Sequence, residues 1–333
     1  MKVAALIPFR NEARLLPLCL ASLRGIADLI VGMDDNSTDE SARLVTEAGG
    51  IVLSAPRADL SSFSSGKETS IRQLLLEEGR RQGGTHFLCV DADEALSANF
   101  RLHARQIFEG MLPGQKLALR WQHLWGSPWR YRDGDYSKFH RIFQICAVCD
   151  APELQYEKRY LHVPRTPGPD SRECVRKLRE DEGCLLHFNT VAMRRYSVKV
   201  AWYFCSELNH APGDAVRINR AYGRDFDLGF LRTRPLRPEW AEGLPIPEDL
   251  GEDGPGWQWN ELLKLFDQRG IEFFEPLEIW HIPDLREEFI RRTGREPRDL
   301  TSLSEKAYCA VRRVRKRFSR FFVDMKRRAL RRV

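Results

Sequence analysis

The segment "HFLCVDADEAL" (residues 86–96) sets three acids, Asp91, Asp93 and Glu94, directly behind the apolar run 87–90. Such a run, short and continuous, reads as a fully buried strand. Carboxylates this close repel one another unless a cation or a donor-rich ligand offsets them. The turn is therefore expected to serve a ligand of that kind. The plainer alternative is a solvated acidic turn that caps the next helix.

The elements that must position these acids are legible on either side. "VAALIPF" is a short apolar strand, and "EARLLPLCLASLRGI" has helical apolar spacing with Pro17 in its first turn. "DLIVGMDDNSTD" is a second strand running into a polar turn. There Ser37 or Thr38 is expected to cap the helix "DESARLVTEAG". "IVLSAP" is a third strand, "GKETSIRQLLLEEGRRQGG" a helix closed by glycines, and the acidic segment a fourth strand. Strands alternating with helices predict an α/β fold with a parallel sheet covered on both faces. Ligands of such sheets bind beyond the C-terminal ends of the strands. "PFRNE", "DDNSTD" and "DADE" all fall there. "PFRNE" has no glycine, which argues against the phosphate loop of a sugar nucleotidyltransferase and against the G-x-G-x-x-G of a nicotinamide dehydrogenase.

Beyond residue 96, "KLALRWQHLWG", "FHRIFQICAVCDA", "RYLHVP" and "CLLHFN" read as strands. "RTPGPDSRECVRKLREDEG" reads as a mobile loop. "TVAMRRYSVKVAWYFCSELNHA" and "WQWNELLKLFDQRG" read as helices, and "IEFFEPLEIWHI" as containing a strand. This divides the chain into a domain at 1–190, a mixed extension at 191–302 packing on it, and a basic helix at 303–333.

Composition bounds the class. At 333 residues and 42% apolar the chain can build a real core. No stretch approaches the ~20 apolar residues of a membrane span. The apolar start is too short for a signal peptide and is followed at once by Arg10, Glu12 and Arg14, so a cytoplasmic protein is expected. Eight scattered cysteines suit a reducing compartment. Cys146 and Cys149 are spaced as C-x-x-C without a second close pair, so two small buried side chains are expected there rather than a zinc.

"ALIPFRNEARLLPLCLASL", "VGMDDNSTDES", "GKETSIRQ" and "FLCVDADE", in this order, resemble a family 2 glycosyltransferase of the GT-A fold. "FHRIF", "YLHVP" and "CLLHFN" are similar, more loosely, to bacterial lipopolysaccharide-core glycosyltransferases. The resemblance implies a Rossmann-like, mostly parallel sheet flanked by helices, here with a helical C-terminal extension. It implies a nucleotide-sugar donor, whose diphosphate leaving group a divalent cation neutralises without proton movement. Hard oxygen ligands suit Mn2+ or Mg2+. By the same resemblance Asp93 ligates the ion, Asp91 reaches the ribose or the metal through water, and Glu94 orients either. His187 is a third ligand, a diphosphate contact or a satisfied core histidine. Pro8, Arg10, Asn11 and Glu12 line base and ribose, and Asp34 or Asp35 accepts from a nucleobase N–H. Lys67 and Arg72 lie near the donor, Lys67 being equally readable as a solvent-exposed lysine. The family inverts the anomeric centre, which requires a base on the acceptor hydroxyl. Where related enzymes carry a His-Glu pair, this chain has His162 followed by Val163. Glu157 and His162 are the favoured bases, with Asp150, Asp181 and Glu182 as other candidates.

From Leu303 onward twelve Lys and Arg face only Glu305 and Asp324. That tail carries about +10 of a total of +6, so the rest of the chain is acidic. Val311, Val314, Phe318, Phe321, Phe322, Met325 and Leu330 form one apolar stripe. A basic amphipathic helix on an anionic membrane surface is expected, at the inner face of the cytoplasmic membrane, and no nucleic-acid partner. The expected activity is metal-dependent transfer of a sugar to a cell-envelope glycan or lipid-linked acceptor. The alternative is a non-catalytic nucleotide-sugar or glycan-binding protein on a degenerate form of the fold.

Overall fold

The computed structural model describes residues 1–56, 66–133, 142–159, 163–171, 173–222, 232–251, 254–300 and 311. In chain order the elements are β1 (Val3–Phe9), α1 (Leu16–Leu23), β2 (Leu29–Asp34), α2 (Ser41–Glu47), β3 (Ile51–Ser54), α3 (Lys67–Arg81), β4 (His86–Cys89), β5 (Glu94–Leu96) and α4 (Ala98–Glu109). Then come β6 (Lys116–His123), β7 (Arg130–Arg132), β8 (Phe143–Cys149), β9 (Val175–Lys177), β10 (Cys184–His187), α5 (Met193–His210) and α6 (Ala215–Tyr222). β11 (Thr233–Pro235), α7 (Pro238–Ala241), α8 (Gln258–Arg269) and α9 (Pro283–Thr293) complete the series.

The central strands β1 and β4 are largely apolar because both of their faces are covered. Along β1, Val3, Ala5, Ile7 and Phe9 enter one core with Leu16, Cys19 and Leu20 of α1 and Phe100 and Phe108 of α4. Ala4 and Leu6 enter the opposite core with Ile71, Leu75 and Leu76 of α3. β4 divides the same way, Leu88 to the first core and Phe87 and Cys89 to the second. This is the two-residue period of a strand lying between two helical layers.

β3, β2, β1 and β4 lie side by side, all parallel, with Phe9 opposite Asp34 and Leu6 opposite Cys89. Their C-terminal ends therefore share one edge. β8 runs antiparallel between β4 and β6, and β10 lies parallel to β6. β6 and β10 consequently point the same way as β4. β5 closes the series antiparallel to β10, bringing His187 opposite both His123 and Glu94. The expected α/β architecture, a mostly parallel sheet flanked by helices, is the one observed.

The chain forms two compact units. One takes the described residues of 1–131, 141–191 and 234–251; the other takes those of 132–140, 192–233 and 252–333. In the second unit α5 packs against α6 and α8. The strand expected in "IEFFEPLEIWHI" is instead a single 3₁₀ turn, Ile271–Phe274. Within the turn Ile271 and Phe274 are the buried positions, the spacing of three that belongs to a 3₁₀ turn. Apart from Val311, the basic tail lies outside the described residues. Among the described residues no helix is long and apolar enough to cross a membrane.

Two other expectations change. Helix α2 begins after Glu40, and neither Ser37 nor Thr38 caps it. Both hold Asn11 instead: its N–H donates to Ser37 Oγ (3.0 Å), and its Oδ1 accepts from the Thr38 N–H (2.7 Å). The stretch "RTPGPDSRECVRKLREDEG" is not a free loop. It contains β9, which pairs with β6, and Gly168 N–H donates to the Gln155 carbonyl (3.0 Å). Lys116, 1% exposed, extends its ammonium to the Gly168 carbonyl (2.9 Å) and Asp170 Oδ1 (2.6 Å). A buried ammonium needs such partners, and the polar residues that suggested a solvated loop supply them.

Candidate active site

The site is built at the shared edge of β1, β2, β4, β6 and β10. The first two turns are stitched together. Asn11 takes up positive φ (53°), tolerable for an Asn, and besides its bonds to Ser37 and Thr38 the Glu12 N–H donates to Ser41 Oγ (2.8 Å). Pro8 lies within β1 opposite Met33, and Arg10, Asn11 and Glu12 are half-buried behind it. Asp34 closes its own turn by accepting from the Ser37 N–H (2.8 Å). Asp35 pairs with Lys67, which is 15% exposed. Lys67 is thus mostly buried and held by an acid rather than solvated.

The acidic turn is the centre. Glu94 is 1% exposed and Asp93 8%. The Asp91 N–H donates to Glu94 Oε2 (3.0 Å) and the Glu94 N–H to the Asp91 carbonyl (3.1 Å), so the turn is closed on itself. The charge is offset by arginines. Arg165 Nη2 lies 2.8 Å from Asp91 Oδ2, and Nη1 donates to Glu94 Oε2. Arg72 Nη2 lies 3.4 Å from Asp91 Oδ1 and is shared with Glu68 (3.1 Å). Burial works against the Asp91 carboxylate, but Arg165 and Arg72 outweigh it and hold the carboxyl below its usual range. Burial pushes the Glu94 carboxyl up, against the pull of Arg165. Trp121 Nε1 donates to Glu94 Oε1 (2.6 Å), and the Arg165 guanidinium stands 5.1 Å from the Trp121 ring centroid.

Asp93 faces the other way. Its Oδ2 lies 3.5 Å from His187 Nε2. His187 Nδ1 meets His123 Nδ1 at 3.1 Å, and the His187 ring stacks on Trp121 at 4.7 Å. Two donors on one small divalent ion, each at about 2.1 Å, stand roughly 3.0–3.5 Å apart. Asp93 and His187 therefore fit as a pair of ligands, with the other positions open to phosphate oxygens. Among the described residues no three His, Cys, Asp or Glu side chains form a cage by themselves.

The candidate bases separate. Asp150 follows β8, which is antiparallel, so it lies at the far edge beside Thr85, six residues before Asp91 in the chain. Arg80 holds it there (2.7 Å). Asp181 and Glu182 precede β10 and also lie at that far edge, paired with Arg179. Strand direction removes all three from the site. Glu157 is on the segment that climbs along α3 towards its N-terminus, where Arg159 N–H donates to Thr69 Oγ1 (3.1 Å). Its carboxylate is 81% exposed, 3.9 Å from Arg159 Nη2. His162 lies outside the described residues, and Val163 after it is buried.

No family model matches the chain. Over 87 residues, 26% of its length, it is 36% identical to a TPR repeat-containing protein of Synechococcus elongatus, and that stretch spans 19% of the relative. Similar solved structures are those of glucosyl-3-phosphoglycerate synthase from Mycobacterium tuberculosis. One holds Mn2+ and uridine-diphosphate-glucose (18% identity, TM-score 0.22) and another Mg2+ and uridine-diphosphate (19%, 0.22). Each match covers 28% of this chain and 34% of that one. A likeness this short and weak decides nothing about activity here.

Arg165, Trp121 and His123 are the site residues that the sequence reading missed. Arg165 stands in "PRTP", where two prolines stiffen the backbone around one arginine, and three unneutralised acids elsewhere were the signal to look for it. Trp121 and His123 are two apart in β6, hence on one face, and that face was the clue. Cys146 and Cys149 are buried thiols of β8, and burial holds the Cys146 thiol up at about 12.

Proposed function

We propose that the protein is a glycosyltransferase that takes its sugar from a nucleotide-diphosphate donor at this edge. The observation that carries the reading is the pairing of Asp93 with His187 beside an arginine-neutralised turn, at the C-terminal ends of parallel strands. The Asn11–Glu12 turn and the Asp34–Asp35 turn, locked together, offer a wall for base and ribose, with Asp34 or Asp35 accepting from the base. Asp93 and His187 would hold Mn2+ or Mg2+. Such an ion supplies charge neutralisation for the departing diphosphate. Lys67 and Arg72 add fixed positive charge on the same side, which stabilises a leaving anion without reorganisation. The acceptor hydroxyl needs a base, and Glu157 or His162, on the segment that leads into Arg165, is the source we assign.

The ordered motifs and the basic amphipathic pattern at 303–333 support a cell-envelope glycan or lipid-linked acceptor, met at the inner face of the membrane. Thermal stability against a panel of nucleoside diphosphates, with and without Mn2+, tests the donor. A nucleotide at 100 times its Kd adds about 2.7 kcal/mol. A Mn2+-dependent shift with one nucleotide, lost in Asp93→Ala, is the expected result; no shift with any nucleotide overturns the reading. Binding without hydrolysis or transfer of the matching nucleotide sugar would make the protein a non-catalytic binder.

A further inference from the structure

Of the three acids in the turn, the protein already neutralises two. Arg165 spans Asp91 and Glu94 with separate nitrogens of one guanidinium, the planar fork that suits it to bridge carboxylates. It is 8% exposed, and its carbonyl accepts from the Tyr156 hydroxyl. Three residues on, Gly168 is anchored to Gln155 and to the Lys116 ammonium, so the segment is fixed on both sides. With Arg72 also on Asp91, the turn carries three carboxylates against two guanidiniums. Mg2+ and Mn2+ take about six oxygen or nitrogen donors. Asp93 and His187 supply two.

We propose that Arg165 is a built-in counter-cation that competes with divalent metal for Asp91 and Glu94, so that the free protein holds such an ion weakly and binds it firmly only together with a nucleoside diphosphate. This rests on the donor-site reading above. Arg165 sets the order of assembly: the diphosphate brings the oxygens and the negative charge that the turn has given up to its arginine. Metal alone then occupies the site only weakly, and firm binding of the ion comes and goes with the nucleotide.

Mn2+ binding to the full-length protein, followed by electron paramagnetic resonance, tests this without reference to turnover. In the wild type, the nucleoside diphosphate that gives the largest stability shift should tighten Mn2+ binding at least about tenfold. Removing one buried positive charge beside a divalent ion should matter at least as much, so Arg165→Gln should bind Mn2+ at least about tenfold tighter in the absence of nucleotide. Arg165→Lys, which keeps the charge, should stay close to the wild type. Asp91→Asn provides an arm that does not depend on Arg165→Gln folding. It removes one buried negative charge and leaves Arg165 in place, so nucleotide-free Mn2+ binding should weaken, and in the Arg165→Gln/Asp91→Asn double variant it should return to within about threefold of the wild type, whereas Asp93→Asn should abolish it. Unchanged or weaker Mn2+ binding in folded Arg165→Gln, or unchanged or tighter binding in Asp91→Asn, overturns the counter-cation role while leaving the donor site standing. Absence of Mn2+ binding in every protein, with every nucleotide, overturns the donor-site reading and this role with it.

Discussion

Glu94→Gln tests whether the turn is held by charge or merely by shape. The side chain is fully buried and accepts three hydrogen bonds, from Arg165 Nη1, Trp121 Nε1 and the Asp91 N–H. Glutamine has the same outline but one acceptor oxygen. With that oxygen in the place of Oε2, its NH2 group faces the Trp121 N–H, donor against donor. An orphaned buried donor costs about 1–3 kcal/mol. Leaving a buried guanidinium without one of its counter-ions costs about 3–5 kcal/mol, moderated here because Arg165 keeps Asp91. We expect a total of about 3–5 kcal/mol. For a unit of this size, at about 2–4 °C per kcal/mol, the melting temperature should fall by roughly 6–20 °C. Hydrogen exchange of a peptide covering 86–96 should accelerate with it, since the Asp91 amide donates to the altered group. A double-mutant cycle with Arg165→Met isolates the pair, because a real charge coupling leaves the double variant more stable than the two separate losses predict. A loss under about 1 kcal/mol, or strict additivity of the two changes, would refute the electrostatic account of the turn.

Two further outcomes follow from the packing. Gly168 has φ of +74°, and a Cβ there would stand 2.5 Å from Leu154 Cδ2. Gly168→Ala should therefore cost about 2–4 kcal/mol in backbone strain and overpacking, read as a lower melting temperature with faster exchange in 163–171. In the second unit Glu275, 2% exposed, accepts from Arg295 Nη1 (2.6 Å) and Arg298 Nη2 (2.7 Å). Those hydrogen bonds hold its carboxyl far below the usual range. Its stabilisation is then full above the ordinary carboxylate pKa of about 4.3 and is lost as pH falls towards the lower native value. Glu275→Gln should destabilise by about 2–3 kcal/mol at pH 7, and the gap to the wild type should narrow on acidification below about pH 4; a gap independent of pH would contradict the ionic role.

How much of this was legible in advance follows from what periodicity can report. Alternation of "VAALIPF" and "FLCV" with helices of apolar spacing determined a sheet between two helical layers. Parallel order then placed Asn11, Asp34 and Asp91 at one edge, because strands joined by helical crossovers point the same way. The need for a counter-charge beside Asp91, Asp93 and Glu94 was also in the sequence, as electrostatics. What supplies it was not. Arg165 lies more than seventy residues from those acids, in a stretch whose polarity marks a loop unless a buried Lys116 claims its carbonyls and Asp170. His123 reaches His187 only because β6 and β10 pair in register. Asp150, Asp181 and Glu182 are acids like any other until the antiparallel course of β8 and the parallel course of β10 send them to the far edge. Sequence periodicity states which face a side chain takes. Strand direction and long-range partners decide which end of the sheet it reaches, and only the tertiary structure sets those.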